Sequence, residues 1–360
     1  MLLHDIGHYP LSHATEKAAE KYYKNSTVRT EDVLNVAGAT YLDHERVGAG
    51  VLVADEEVSK ILSDSNFDPN RIGRIFGGKE DSYLKNLVKS ELDADRLDYL
   101  MRSSQATGLP YGNYDRDYII QNLSFDSGEK ICLRAKALRA ADHFLICRTF
   151  DYLQTIFHKT IVGFEQMLQH CVLGALESGL FSFSDDALKK AISSGEWLAW
   201  DDAWLWGKLR DLEKGEDQKI VTMAKRLRER TPADCIFSVE RVTDEGEEAK
   251  REIEALFEKI KDDPELKENI ITWVKKFSPT DVSPSRKTGL DTEDEEAEKE
   301  MIRILSTDNG SSKPLIRCEN SLIKALREQS YVFGRVYFVG KLDKLEETRK
   351  RLNSLLSTYS

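Results

Sequence analysis

The spacing of apolar positions predicts a chain built mainly from helices. Apolar residues recur three and four positions apart over several long stretches, which is the period of an amphipathic helix. The stretches with this period are 10–24, 47–62, 83–103, 135–180 and 185–230. Stretch 135–180 has the length of one long helix or of two. Residues 1–3 are apolar and have no capping residue before the motif that follows, which predicts the interior of a buried helix.

Two shorter segments have the two-residue period of strands. Residues 131–134 form one, and the alternation in 335–339 predicts another, followed by a helix over 341–355. Between the helical and C-terminal parts, prolines and small polar residues give way to an acidic run, which predicts a linker or insertion. The predicted fold is therefore mainly α with a small α+β portion. Its segments are a helical core at 1–180, a helical extension at 181–277, an acidic linker at 278–300 and an α+β region at 301–360.

Composition and charge narrow the class of protein. The sequence is 40% hydrophobic and 32% charged, which is typical of a soluble globular protein. It has no apolar run long enough to span a bilayer and no signal peptide. We therefore expect a cytoplasmic protein that does not associate with a membrane. Five scattered cysteines without metal-ligand spacing indicate free thiols. A net charge of −11 disfavours binding of polymeric nucleic acid. It is compatible with binding of small phosphorylated ligands.

A cluster near the N-terminus carries the strongest chemical signal. Three of the seven histidines, His4, His8 and His13, fall within ten residues, and Asp5 and Glu16 accompany them. Imidazole and carboxylate together suit a divalent ion. On a helix, His4 and Asp5 can converge on one metal, and His8 lies one turn beyond His4. His13 and Glu16 are three apart, where the carboxylate raises the imidazole pKa and fixes its tautomer, as a general acid requires.

A second group of candidates lies on the predicted helix over 83–103. Asp95 and Tyr99 are four residues apart and therefore share one face. Asp95 is a candidate metal ligand supplied from a distant helix. Arg96 can meet a phosphate group with two parallel hydrogen bonds.

A third group lies further along the chain. Arg148 and Tyr152 share a helical face, and His158 and Lys159 follow them in the sequence. Alone, this segment is typical of an amphipathic helix with a basic edge. His44 is a further candidate pocket residue. Bunched tryptophans are predicted to pack in the core, and they are Trp197, Trp200, Trp204 and Trp206.

These motifs resemble the HD superfamily, and specifically its deoxynucleoside triphosphate (dNTP) triphosphohydrolase branch. That branch includes bacterial dGTPase-like enzymes and the vertebrate SAM-and-HD-domain enzyme. The resemblance covers about residues 1–230 and rests on Leu-Leu-His-Asp-Ile-Gly-His, Asp-x-Asp-Arg-Leu-Asp-Tyr and the segment 148–160. It implies an all-α bundle, with residues 1–180 as a phosphohydrolase core.

The resemblance also implies roles for the candidate residues. The metal ligands would be His4, Asp5 and Asp95, and the ion Mn, Fe, Zn, Mg or Ni. The catalytic residues would be the acid His13, the orienting Glu16, and His44. The substrate-binding residues would be His8, Arg96, Tyr99, Arg148, Tyr152, His158 and Lys159. Water would attack the α-phosphorus and release deoxynucleoside and intact triphosphate. The branch is typically oligomeric, so we expect a homo-oligomer. The sequence leaves open whether a second nucleotide acts as an allosteric activator.

Three departures from the branch keep alternatives open. The branch has a metal-ligand histidine some tens of residues before the HD pair, so the sequence predicts that the N-terminal part of the core is missing. Ser103 stands where the branch often has an aspartate near the sugar, and Tyr152 replaces a histidine. The alternatives are another HD phosphohydrolase, such as a nucleotidase or phosphodiesterase, and a nucleotide-binding regulatory protein with an impaired site. Arg148 with His158 and Lys159 favours the triphosphohydrolase, because a triphosphate needs several cations beyond the metal.

Overall fold

The computed structural model describes residues 3–25, 43–76, 83–279, 300–306 and 310–357. Helices dominate these residues, so the prediction of a mainly α fold with a small α+β part is confirmed. The α-helices, numbered here in chain order, are α1 His13–Asn25, α2 His44–Ala54, α3 Glu56–Asp64, α4 Pro69–Phe76, α5 Tyr83–Val88, α6 Ala94–Thr107, α7 Arg116–Gln121, α8 Leu138–Asp151, α9 Lys159–Glu177, α10 Asp185–Ser193, α11 Asp202–Asp211, α12 Gln218–Arg228, α13 Gly246–Lys261, α14 Leu322–Leu326 and α15 Leu345–Ser357.

Two sheets accompany the helices. The strands are β1 Leu123–Phe125, β2 Ile131–Leu133, β3 Asp234–Thr243, β4 Ile270–Phe277, β5 Arg303–Leu305, β6 Ser312–Pro314 and β7 Ser330–Phe338. One sheet has the order β1-β2-β5-β6, and the other has the order β3-β7-β4. In the second sheet β7 is central and runs antiparallel to both neighbours. A Cβ atom at Gly334 of β7 would lie 2.5 Å from Ile253 Cγ2, so only glycine lets α13 pack this closely on β7.

Several predicted helices are interrupted by residues that cap a new helix. The stretch 47–62 breaks at Asp55, whose carboxylate accepts the backbone N–H of Val58 at 2.9 Å. The stretch 83–103 breaks before Asp93, which caps α6 in the same way. The stretch 135–180 is two helices, α8 and α9, joined by the π-helical turn Tyr152–Ile156. Asp55 and Asp93 begin new helices because an aspartate side chain satisfies backbone N–H donors that the first turn of a helix leaves unpaired.

The predicted helical extension 181–277 contains β3 and β4, so its description as wholly helical is wrong. These strands pair with β7 from the predicted C-terminal region. The predicted strand 335–339 overlaps only the second half of β7, and β3 and β4 were not predicted as strands. The division into four segments stays a proposal. Most of the predicted linker 278–300, namely 280–299, lies outside the described residues.

The largest hydrophobic cluster lies where α1, α2 and α9–α12 meet. Trp197 is buried in it, and Trp200 and Trp204 pack against it, as predicted. Trp206 is 36% exposed, so the prediction of core packing is wrong for this residue. Within the part of the chain that the structure describes, no helix combines the length and apolar character that crossing a membrane requires.

Candidate active site

The segment that carries His4 and Asp5 is a series of turns, so the predicted helix is wrong for the described residues of this segment. The Ile6 N–H donates to Leu3 O at 3.2 Å, and the His8 N–H donates to Asp5 O at 3.0 Å. We call residues 3–8 the HD turn. It does not continue into α1, because Leu11 and Ser12 adopt φ values of 57° and 55°, which a right-handed helix excludes.

The HD turn is held against α2 and the tryptophan cluster. A Cβ atom at Gly7 would lie 2.1 Å from Gly48 N and 2.2 Å from His44 O, so the two backbones touch. On the other side, Trp197 Nε1 donates to Ile6 O at 3.2 Å. The Leu11 N–H donates to Asp202 Oδ1 at 2.7 Å. These contacts fix the turn that displays His4, Asp5 and His8.

Asp5 is the carboxylate around which the HD turn is organised. Its Oδ1 lies 3.0 Å from His4 Nε2 and 3.2 Å from His8 Nε2. Burial works to raise the Asp5 pKa, but the hydrogen bond from His8 and the charges of the histidines hold it below its ordinary value. Asp95 of α6 shows the opposite shift: burial, with the nearby carboxylates of Asp93 and Asp5, raises its pKa. The three predicted metal ligands therefore share one electrostatic environment.

His8, His13 and His44 form a second layer beside Asp5. The rings of His8 and His44 stack with centroids 4.0 Å apart. The ring of His13 stands edge-on to both, at 4.9 Å from His8 and 5.2 Å from His44. The Oγ of Ser12 lies 3.2 Å from His8 Nδ1. Three elements contribute these rings: the HD turn, α1 and α2.

Glu16 connects two of these histidines. One carboxylate oxygen lies 2.9 Å from His13 Nδ1, and the other accepts the His44 backbone N–H at 3.0 Å. His44 Nδ1 lies 3.1 and 3.2 Å from the two oxygens. Burial favours a raised pKa for Glu16, but the hydrogen bonds from His13 and His44 hold it far below its ordinary range. Burial also favours a lowered pKa for His44, yet the hydrogen bond and charge of Glu16 raise it.

The donor atoms define which residues can hold a metal. In the described ranges, two groups bring their ligand atoms within 4.8 Å of one another: His8 with His13 and His44, and Glu16 with Asp43 and His44. The predicted set of His4, Asp5 and Asp95 is not among these groups. Its residue types nevertheless suit a divalent ion, because imidazole and carboxylate are common ligands of such ions.

A second polar group surrounds Arg148 of α8, which is 3% exposed. Its guanidinium lies 5.6 Å from the ring centroid of Tyr152. Burial opposes the charged form, but Tyr152, Tyr99 and Glu91 outweigh it and raise the Arg148 pKa. Burial and Tyr152 raise the pKa of Tyr99, which is thus neutral and keeps its hydroxyl proton. Arg148 therefore interacts electrostatically with both Tyr99 and Tyr152.

Three predicted substrate-binding residues are placed differently. The Arg96 guanidinium donates to the Ser90 carbonyl and to the Asp93 carboxylate, so it stabilises the start of α6. His158 caps α9, and its Nδ1 accepts the Thr160 N–H at 3.3 Å. The side chains of His158 and Lys159 make no hydrogen bond or ion pair with the other predicted site residues that the structure describes. Tyr152 contacts Arg148 and also belongs to an aromatic cluster, where its ring stacks on Phe277 with centroids 4.7 Å apart.

Sequence reasoning missed two acidic residues of this region. Asp43 caps α2 and converges with Glu16 and His44. Glu91 is fully buried near Arg148, and its carboxylate accepts the Ile302 N–H at 2.8 Å. Asp43 was detectable as a capping residue, since it directly precedes His44 and lies four residues before the predicted helical stretch 47–62. Glu91 was not, because its partner is 211 residues away.

Replacing Glu16 with glutamine should lower the pKa of the His44 imidazole, because the carboxylate that stabilises its proton is lost. A raised pKa in the folded state stabilises the protein fully below the unfolded pKa of about 6.5, and this contribution disappears as the pH rises through the folded pKa. We therefore expect Glu16→Gln to cost about 1–2 kcal/mol near pH 6 and less at pH 9.

NMR titration of the His44 ring and denaturant unfolding at the two pH values test this expectation. The exposed Glu240→Gln substitution is the control, and it should change neither quantity. An unchanged His44 pKa in Glu16→Gln would contradict the assigned hydrogen bond.

Known proteins are similar to this chain over part of its length. No protein-family model matches the chain. The uncharacterized protein YwfO of Bacillus subtilis is 28% identical over 169 residues, which are 46% of this chain and 34% of that protein. The uncharacterized protein MG461 of Mycoplasma genitalium is 31% identical over 164 residues, which are 43% of this chain and 35% of that protein. The chain thus spans about a third of the length of these curated relatives.

Solved structures share the fold over nearly the whole chain. A phosphohydrolase from Bacteroides thetaiotaomicron superposes with a TM-score of 0.58 at 22% identity, over 93% of this chain and 77% of that one. A hypothetical protein from Aquifex aeolicus superposes with a TM-score of 0.66 at 22% identity, over 98% of this chain and 78% of that one. The chain therefore has a fold that a solved phosphohydrolase also has.

Proposed function

We propose that this chain is a metal-dependent phosphohydrolase that cleaves deoxynucleoside triphosphates to deoxynucleoside and triphosphate. One observation carries the proposal: the carboxylates of Asp5 and Glu16 hold a layer of histidines between them. Asp5 contacts His4 and His8 at 3.0 and 3.2 Å, and Glu16 contacts His13 and His44 at 2.9 and 3.1 Å. Metal ligands and proton-transfer groups then lie next to each other, as hydrolysis of a phosphate ester requires.

His4, Asp5 and Asp95 would hold the divalent ion. Bound there, the ion would lower the pKa of a water molecule and neutralise phosphate charge. Asp5 lies within hydrogen-bonding distance of His4 and His8, which fixes its position. Asp95 of α6 would complete the set, and burial, together with the charges of Asp93 and Asp5, raises its pKa.

His13 is the proposed proton donor to the leaving oxygen. Its Nδ1 lies 2.9 Å from Glu16, and a carboxylate oxygen only accepts, so Nδ1 carries a proton and Nε2 faces away from Glu16. The side chain of His13 is 60% exposed, which leaves the ring accessible to a substrate. His44, whose pKa Glu16 raises, would add positive charge beside the phosphates.

The group of Arg148, Tyr99 and Tyr152 is the proposed binding site of the sugar and phosphate tail. Arg148 supplies a permanent cation, and Tyr99 supplies a flat ring with a hydroxyl donor. A homo-oligomer and the four-segment division stay part of the same proposal.

A second candidate is hydrolysis of a smaller phosphate ester, as in a nucleotidase or cyclic-nucleotide phosphodiesterase. The specific support is the placement of the cations. Arg96 is engaged by Ser90 and Asp93, and His158 and Lys159 make no polar contact with the site in the described part of the chain. A triphosphate tail needs several cations, whereas a monoester needs fewer.

The decisive experiment supplies each dNTP, a deoxynucleoside monophosphate and a cyclic nucleotide with Mn²⁺, Mg²⁺ or Zn²⁺, and identifies the products by ³¹P NMR. Triphosphate with deoxynucleoside is the expected result. Orthophosphate from the monophosphate, or ring opening of the cyclic substrate, would select the second candidate. If no metal supports any cleavage, both proposals fail, provided that circular dichroism shows folded protein.

A further inference from the structure

A cavity of about 390 Å³ lies outside the candidate active site. It is partly open to solvent and is bordered by α1, α9, α12, the end of α13 and the start of β4, where the helical core meets the second sheet. Its polar lining is cationic. Four lysines from different parts of the chain converge on it, and they are Lys21, Lys219, Lys261 and Lys267. This is unexpected in a chain with a net charge of −11.

The lysines are only partly neutralised. Lys21 forms no ion pair with any residue that the structure describes. The Lys219 ammonium donates to the carbonyl oxygen of Lys267 at 2.7 Å, and burial lowers its pKa. Lys261 pairs with Glu258 at 2.7 Å, and Lys267 reaches Glu268 only at 4.0 Å. Asp217 and Glu268 also act on Lys219 from outside the lining. The described residues that line the cavity include these four lysines and no acidic residue.

The pKa of His170 responds to the charges of these lysines. Its Nδ1 lies 2.8 Å from the Gln166 carbonyl oxygen, so Nδ1 carries the proton and Nε2 is the second ring nitrogen. Burial first, and then the charges of Lys21, Lys219 and Lys261, lower the His170 pKa. An anion in the cavity would offset the same repulsion.

We propose that this cavity binds an oligophosphate, either as free inorganic oligophosphate or as the phosphate chain of a nucleotide. Four ammonium groups match an anion with several charges and many acceptor oxygens better than a single carboxylate. Glutamine side chains among the lining residues add neutral donors, and the volume suits a small molecule. The proposal rests on the lysines and is independent of the proposed function.

An occupant would contact two helices that also build the candidate active site. α1 carries His13 and Glu16 in its first turn and reaches the cavity with Lys21. α9 starts at Lys159 and lines the cavity from Gln166 onwards. The ion pair of Lys17 and Glu165, at 2.6 Å, ties these two helices together.

Isothermal titration calorimetry of inorganic triphosphate tests the proposal, on the full chain in buffer with a chelator, so that no turnover occurs. The test variant is Lys219→Ala with Lys261→Ala. The control is Lys225→Ala with Lys259→Ala, which removes the same charge from exposed positions of the same two helices. We expect the native chain and the control to bind, and the test variant to bind at least about tenfold more weakly, because charge-assisted hydrogen bonds are lost.

Equal affinity in all three proteins, or an equal loss in both variants, would overturn the proposal. So would an absence of triphosphate binding by folded native protein. Parallel titrations with a dNTP and with orthophosphate distinguish the sources: tighter binding of the dNTP indicates a nucleotide, and equal binding indicates free oligophosphate. Thermal unfolding of both variants shows that each is folded. Since no cleavage is measured, failure of the proposed function leaves these outcomes unaffected.

Discussion

Replacing His4 and Asp5 together with alanine is expected to remove bound divalent metal and to lower hydrolysis of the substrate by more than about 100-fold. Changes beyond the direct ligands of a metal already cost about 10–100-fold, so loss of two direct ligands should cost more. Asp5 is also the acceptor that orients His4 and His8 on the HD turn. Metal content by mass spectrometry and the rate with the preferred substrate are the two measurements.

The matched control is Asp98→Ala with His143→Ala. It removes the same residue types from exposed positions of α6 and α8. Metal content and rate should stay within about twofold of the native values, as is usual for surface changes of small energetic effect. If His4→Ala, Asp5→Ala retains metal and rate, the proposed ligand set is incorrect. The ligands would then have to be sought in His8, His13 and His44, whose donor atoms also converge.

The second large effect is expected from Gly7→Ala, a change of one methyl group. The added Cβ would lie 2.1 Å from Gly48 N and 2.2 Å from His44 O, which are backbone atoms of α2 and cannot rotate away. Overpacking of this kind costs about 1–3 kcal/mol, and occasionally more. The HD turn must move away from α2, which separates Asp5 from His44. Both the free energy of unfolding and the rate should therefore fall.

Gly50→Ala is the control for this prediction. Gly50 lies on the same helix as Gly48, and among the described residues a Cβ there would meet only Ile192 Cδ1, at 3.9 Å. Alanine favours a helix over glycine by up to about 1 kcal/mol, so this variant should be slightly more stable than the native chain. Urea unfolding of the three proteins gives the comparison. Native stability in Gly7→Ala would mean that the HD turn does not contact α2 as described.

The sequence was most informative where the relevant residues are close neighbours along the chain. His13 and Glu16 are three apart and form the expected hydrogen bond. His4, Asp5 and His8 also meet, although on turns and not on the predicted helix. After the HD turn, Leu11 and Ser12 adopt positive φ, which separates the turn from α1 and which residue type did not reveal. The roles of these residues in metal binding and catalysis stay predictions.

The sequence was less informative about where helices end. Asp55 and Asp93 cap new helices within stretches whose apolar period predicted continuous ones. The apolar period indicates which face of a helix is buried. Two successive helices that pack on one core can have nearly the same period, so the pattern does not show where the first one ends. The capping aspartates were visible in the sequence but equally compatible with exposed helical positions.

The amino-acid sequence by itself determined the mainly helical class, the strand character of 131–134 and 335–339, and the local grouping of histidine with carboxylate. These properties follow from interactions between residues only a few positions apart. The tertiary structure alone decided the rest. His44 joins Glu16 across 28 residues, β7 lies between β3 and β4, and lysines from α1 to the start of β4 surround one cavity. Such contacts depend on how complete helices and strands pack together. The pattern of apolar residues does not indicate which helix or strand faces contact each other.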